Sequence, residues 1–500
     1  MLNIVIGFIK NINLNFLFTK KFLFFLVIVV AFVAFFHRLD EAPLSGDGIG
    51  YGQIAKEMTQ TGDYLTPYHD GIPVFYTSKP PLIYWMMALS GKCFGFTNFS
   101  VKLPIAILAL MSIIIMFLFV SKYYDYYTAF FTSIILIFTQ QYLHHARSCI
   151  TDGPFATFFI LALVCFWIAT TEKKSCYYYL MSFSIGLAIM AKQASGLLIY
   201  FVIFGYLLLS KDRKALKNIH FWLSFLLVPI IVLPWHIVMY KKFGMDFVKE
   251  YFCSTIKNIQ GWGSSNADNV NYDISIKKYN FFNEWYIYLQ LLINNYWPWL
   301  PLLVYGFYKK LKNTKNIILN DNRKDIFVLS WALIPFIIFQ IASKKNGNYL
   351  NPLYPAFALI SAEVLNSFSQ KTVQKIIKIL IVVSVVLSVV FISFPIIPKT
   401  VDAQKLVDPV KLIPTVNTID KNEKIVIRRE DYFVFGSMFL FYGDKKNITL
   451  NDDEFEEKIL QNEKHYFASY KDGFMNNLLE KYKDKIKILA ETKRTILFVN

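Results

Sequence analysis

A chain of 500 residues that is 55% hydrophobic and 18% aromatic carries more apolar surface than a soluble fold can hide, so most of it must face lipid. The net charge of +17 does not mark a nucleic-acid binder, which needs a basic face on a soluble domain. Five scattered cysteines, odd in number and without a Cys-x-x-Cys pair, imply neither a disulfide framework nor a metal knuckle.

The N-terminal basic and apolar stretch runs to His37-Arg38-Leu39-Asp40 with no small-residue cleavage pattern, and it reads as a retained anchor. Apolar windows of spanning character recur at 22–36, 103–120, 129–138, 155–169, 179–191, 197–209, 221–238, 285–305, 326–341, 349–364 and 379–397. Lysines sort by side. Lys10, Lys20, Lys21, Lys173, Lys174, Lys211, Lys214, Lys217 and the cluster from Lys309 to Lys324 fall together if the N-terminus is cytoplasmic and the spans alternate. Asp47, Lys79, Arg147, Asp152, the segment 241–283 and everything after Pro398 then lie outside the cytoplasm.

Two domains are expected: a membrane body over 1–397, with a first outer loop at 37–101, and a small extracytoplasmic α/β domain over 398–500. In the latter, 424–427, 432–435, 486–489 and 495–499 read as strands, and 453–460 and 473–482 as amphipathic helices. That tail shows no Gly-rich phosphate loop and no His cluster, so the chemistry must come from the outer loops of the body.

Asp47 precedes a stretch, 49–60, whose apolar residues fall on one helical face, as in a helix lying on a membrane surface. Two readings of Asp47 follow: an N-cap satisfying backbone donors, or a reactive carboxylate. Asp152, in Thr151-Asp152-Gly153-Pro154, has the same two readings. Lys79 stands just before a helix, where a cation opposes the dipole; either it snorkels to the interface or it holds an anion together with the helix N-terminus. Arg147 gains weight because only seven of the 52 basic residues are Arg, and a planar fork grips phosphate or carboxylate in two places. A chance Arg is the alternative. His144 and His145 read as interfacial or hydrogen-bonded histidines.

The motifs Asp47-Gly48-Ile49-Gly50-Tyr51-Gly52-Gln53, Thr61-Gly62-Asp63-Tyr64, Tyr76-Thr77-Ser78-Lys79-Pro80-Pro81-Leu82-Ile83-Tyr84-Trp85 and Val101-Lys102-Leu103-Pro104 stand in one order with Ala146-Arg147, Asp152, Ala191-Lys192, Pro234-Trp235, Trp297-Pro298-Trp299, 345–349 and Leu353-Tyr354-Pro355. Together they resemble the dolichyl-phosphate-mannose protein mannosyltransferase family, in its bacterial branch that includes the aminoarabinose transferase of lipid A. The resemblance implies a polytopic all-α membrane protein of the GT-C fold with about 11 to 13 spans and a small C-terminal α/β domain. It implies a glycosyltransferase moving a sugar from an undecaprenyl or dolichyl phosphate donor to an envelope glycolipid or protein, in the plasma (inner) membrane.

By the same resemblance Asp47 and Asp152 are catalytic, while Lys79, Arg147 and Tyr349 bind donor phosphate. No cofactor is fixed by the resemblance; a divalent metal is the open alternative, which no ligand spacing indicates. Where lipid A relatives carry Glu and Arg after the first acid and Glu before the lysine, this chain has Gly48, Gly50 and Ser78. A polysaccharide polymerase or ligase and a lipid-sugar transporter are the alternatives. The transporter would place its charges near the midplane.

Overall fold

The computed structural model describes residues 14–500 except 45, 76–78, 261–284, 314–316, 319, 343–344 and 395–408. Ser45, the Tyr76-Thr77-Ser78 part of the first-loop motif, most of the expected outer segment 241–283 and the expected boundary at 397 lie outside the described residues.

Helices dominate up to Ser393. Among the described residues, six stretches are long and apolar enough to cross a membrane: Asn98–Tyr123, Asp152–Glu172, Cys176–Leu209, Ile219–Tyr251, Arg323–Ile341 and Gln370–Ser393. The other windows fold as shorter helices. Lys20–Phe36, Tyr126–Ile137 and Tyr354–Asn366 have 17, 12 and 13 residues, and a 12-residue helix rises only about 18 Å. The Tyr126–Ile137 helix is buried from Thr128 onward, which explains an apolar run too short to face lipid across its whole length. Window 285–305 becomes two helices, Ile287–Asn295 and Leu300–Lys312, on either side of Trp297-Pro298-Trp299.

Local chemistry sets the helix starts. Thr97 and Ser100 form a reciprocal capping box before Asn98–Tyr123, and Asp125 accepts from the backbone N–H groups of Tyr127 and Thr128.

After the undescribed stretch, a five-stranded sheet runs in the order 447–450, 425–428, 466–470, 495–499, 487–491, with the first three strands parallel and the others antiparallel. Helices Asp452–Ile459 and Gly473–Lys481 match the two expected ones. Arg428, 2% exposed, ties them together: it reaches Asp452 at 2.8 and 3.2 Å and Asp472 at 2.5 Å, the residues that open them.

One expectation fails here. Residues 432–435 are not a strand but the start of helix Tyr432–Gly443. Phe435 and Phe439, one turn apart, enter the core beneath the sheet, while Met438 and Phe441 enter the core of the membrane body. Burial on two sides erases the apolar/polar period that announces a helix.

The helix Asp47–Thr61 also departs from expectation. It does not lie with its polar face open on a membrane surface; every residue from Gly48 to Met58 is buried. Helix Tyr432–Gly443 covers Lys56, and the ribbon beside it covers Glu57. Lys56 Nζ donates to the carbonyls of Phe441 (2.7 Å) and Leu440 (3.2 Å) and pairs with Asp444 (2.7 Å). The Glu57 carboxylate accepts from Gln53 Nε2 and from the backbone N–H groups of Asp70 and Gly71, next to the short ribbon of Tyr68–His69 and Ile72–Pro73.

Candidate active site

Asp47 and Asp152 each open a helix, yet neither caps it. The N-caps are Gly46 and Thr151, and neither makes a side-chain cap bond. As first helical residues both carboxylates sit where the helix dipole favours negative charge. Asp152 is buried and ion-paired with Lys192, the last residue of helix Cys176–Lys192. The Lys192 ammonium also lies 5.2 Å from the Tyr349 ring centre and 5.6 Å from that of Phe155. Asn351 Nδ2 donates to the Asp152 backbone carbonyl at 2.8 Å.

The charges of both acids act on Tyr51. Burial holds the pKa of its hydroxyl well above the usual phenol value, and the negative charges of Asp47 and Asp152 raise it further. The Tyr51 ring meets Tyr84 edge to face at 5.6 Å, and the Tyr84 hydroxyl accepts from the Lys79 backbone N–H at 2.9 Å. Lys79 is half-buried in the irregular segment that leads into helix Leu82–Phe94. Tyr349 is half-buried in the turn Gly347–Leu353; burial raises its pKa first, and the charge of Asp152 adds to it. Asp152 and Tyr349 therefore both meet Lys192, while the Lys79 main chain meets Tyr84, whose ring packs against Tyr51.

Arg147 is placed differently. Fully buried, its guanidinium donates to the carbonyls of Ala34 (3.0 Å), Phe35 (3.2 Å), His37 (3.0 Å) and Arg38 (3.4 Å), at the carbonyl end of helix Lys20–Phe36. The fork is used on main chain, where a cation also complements the dipole. His145, beside it, has its pKa pulled down to about 4 by burial and lies 3.1 Å through Nε2 from Asn348 Oδ1, so it is neutral at ordinary pH.

Lys192, Tyr51 and Tyr84 had no role assigned from sequence, although all three stand within the ordered motifs. The available signal was a lysine ending an apolar helix, which needs an acid close by. A cavity of about 210 Å³ opens beside Asp47, walled by Gly48, Lys102, His144, Arg147, Cys149 and Asn348. A larger one, about 600 Å³, lies by Asp125, Lys310 and Glu363 and contains none of the expected site residues; there Lys310 pairs with Asp325 and Glu363. Among the described residues no group of three His, Cys, Asp or Glu side chains could hold a metal ion.

Residues 78–238 match the family described as dolichyl-phosphate-mannose-protein mannosyltransferase. The chain is 26% identical over 393 residues to an uncharacterized protein of Aquifex aeolicus, covering 76% of this chain and 72% of that one. It is 26% identical over 333 residues to the undecaprenyl phosphate-alpha-4-amino-4-deoxy-L-arabinose arabinosyl transferase of Photorhabdus laumondii, covering 64% of this chain and 56% of the relative. The counterpart from Wigglesworthia glossinidia brevipalpis is 26% identical over 74% of this chain and 64% of its own. These matches to the named transferases thus span less than two thirds of their length. The crystal structure of ArnT from Cupriavidus metallidurans superposes with a TM-score of 0.75 at 15% identity, covering 95% of this chain and 97% of that one. The same protein bound to undecaprenyl phosphate gives 0.74. The Archaeoglobus fulgidus oligosaccharyltransferase gives 0.55 at 11% identity, covering 91% of this chain and 69% of its own.

The chain is similar in sequence to these transferases and has the GT-C fold of the solved ones. The resemblance read from its motifs holds, and so does the expected class: a helical, multi-span membrane protein with a small C-terminal sheet domain.

Proposed function

We propose that this chain is a glycosyltransferase that moves a sugar from a polyprenyl-phosphate donor to an acceptor in the cell envelope, glycolipid or protein. The observation that carries this reading is the buried Asp152–Lys192 pair beside the Tyr349 ring, with Asp47 lining a cavity and Lys79 on the same loop as Asp47. In the relatives' names the donor is undecaprenyl phosphate-linked, and a solved relative binds undecaprenyl phosphate itself. The reaction needs a base at the acceptor and a cation at the leaving phosphate.

In the proposed step, the Asp47 carboxylate takes the proton of the acceptor hydroxyl as its oxygen bonds to the anomeric carbon. The bond from that carbon to the phosphate oxygen breaks, and its electron pair leaves on the lipid phosphate. Lys79 offsets the charge that develops there, and the Tyr349 hydroxyl donates a hydrogen bond to it. Asp152, neutralised by Lys192, orients the sugar. Arg147, named from sequence as a phosphate ligand, supports the site from behind by holding the end of the first helix. The N-terminus is cytoplasmic, and the site and the region after 397 are extracytoplasmic, as the Lys distribution supports.

Purified protein in lipid, given a radiolabelled sugar on polyprenyl phosphate and an envelope extract, is expected to label a glycolipid or protein, and Asp47→Asn to abolish labelling with the fold intact. Sugar-lipid flux across vesicles, without transfer and unaffected by Asp47→Asn, would overturn the proposal in favour of a transporter.

A further inference from the structure

Between the end of the first helix and Asp47 the described residues form a turn but no helix or strand, and their main chain is gripped repeatedly by side chains. Arg147 takes four carbonyls from Ala34 to Arg38. Lys102 Nζ donates to the carbonyls of Leu39 (3.2 Å) and Ala42 (2.6 Å). Asn98 Nδ2 donates to the Asp40 carbonyl at 2.9 Å. The grip nearest to Asp47 comes from the far end of the chain: the Leu44 backbone N–H donates to the Tyr442 hydroxyl at 2.8 Å.

That hydroxyl in turn donates to Asn98 Oδ1 at 2.6 Å. A directed chain results, from the Leu44 N–H to the Tyr442 hydroxyl to the Asn98 amide to the Asp40 carbonyl, in which each group donates and accepts and so strengthens the next. Leu44 is 2% exposed, so its N–H has no easy substitute in water.

Tyr442 is itself fixed. Lys56 caps the carbonyl end of helix Tyr432–Gly443, and His69 Nε2 lies 2.8 Å from Ser437 Oγ one turn earlier. Gly52 lets the two helices approach: a Cβ there would stand 3.3 Å from the Phe441 ring and 3.1 Å from Leu44. The helix that carries Asp47 and the helix that carries Tyr442 are thus bolted together at several points.

We infer that Tyr442 is a positioning residue for Asp47, through which the C-terminal domain completes the catalytic loop of the membrane body. This rests on the reading of Asp47 as the base. Tyr442 does not touch substrate; it sets the main chain three residues before the carboxylate, and small displacements of a reacting group cost rate steeply.

The test uses the full chain in lipid and compares Tyr442→Phe, Asn98→Ala, the double variant and Asp47→Asn, measuring kcat with a polyprenyl-phosphate sugar donor, Kd for undecaprenyl phosphate and the pH profile of kcat. Tyr442→Phe keeps the ring and its packing. The expected result is a kcat lower by about 10- to 100-fold, an unchanged Kd, a displaced acid limb of the pH profile, and a double variant no slower than the slower single one. A Tyr442→Phe enzyme within twofold of wild type, beside an inactive Asp47→Asn, overturns the positioning role alone. So does full additivity with Asn98→Ala. An active Asp47→Asn instead overturns the base reading, and the positioning role falls with it.

Discussion

Lys192 and Asp152 form a buried ion pair that joins the end of one spanning helix to the start of the preceding one. Breaking it from the cationic side leaves a carboxylate without its counter-charge in a site that is 5% exposed, which costs about 3–5 kcal/mol in comparable buried pairs. Lys192→Met is therefore expected to lower the melting temperature in detergent sharply and to abolish transfer. Adding Asp152→Asn removes the stranded charge and should recover most of the stability. Activity should stay lost in that double variant, because Asp152 is proposed to orient the sugar; a double variant restored in both would reduce the pair to a structural role.

Arg147→Lys separates two uses of one guanidinium. A lysine keeps the charge but cannot span four carbonyls, so the end of the first helix loses about 2 kcal/mol of charge-assisted hydrogen bonding. Turnover should fall by about tenfold as the approach to Asp47 loosens, while undecaprenyl phosphate binds with unchanged Kd. Weakened lipid binding in an equilibrium assay would return Arg147 to the phosphate-gripping role that its scarcity first suggested.

How much of this was legible follows from where each signal lies. Long apolar helices announce themselves because lipid exposure demands an unbroken run, and Asp47 and Asp152 do open helices, as their sequence context suggested. Arg147 was singled out for its fork as a phosphate or carboxylate ligand, yet the fork reaches main-chain carbonyls more than a hundred residues away, which leave no mark in side-chain identity. Lys192 stood in a motif, but its partner lies 40 positions earlier. The Tyr432–Gly443 helix read as a strand because it is buried on both sides, and the strands at 447–450 and 466–470, Asn-Ile-Thr-Leu and Tyr-Phe-Ala-Ser-Tyr, went unmarked because polar and small residues interrupt their apolar runs.

Gly48 follows Asp47 directly, and the structure gives the glycine a local reason. A Cβ at this position would lie 3.2 Å from Cys149 Cβ and 3.4 Å from the Cys149 carbonyl, on the wall of the cavity beside Asp47. Gly48→Glu would thus force the Cys149 segment outward and fill part of that space, at a cost of about 1–3 kcal/mol for overpacking. Its expected outcome is a lower melting temperature and a raised KM for the acceptor, with donor Kd unaffected. An unchanged melting temperature would show that this wall yields easily.

Asp431 makes the C-terminal domain sensitive to pH. Its carboxylate accepts from Ser469 Oγ at 2.8 Å and from the Tyr470 N–H at 3.3 Å, yet burial lifts its pKa to about 6, against an ordinary value of 3.8. Between those two values the folded domain holds a proton that the unfolded chain has released, so stability is fully present below about pH 4 and declines as the pH rises through 6, by up to about 1.4 kcal/mol per pH unit. Asp431→Asn keeps an acceptor for Ser469 and carries no charge. Above pH 6 this variant should be more stable than the parent, and thermal unfolding of the two chains followed from pH 4 to 8 should diverge in that direction. Curves that stay parallel across the range would mean that Asp431 titrates alike in both states.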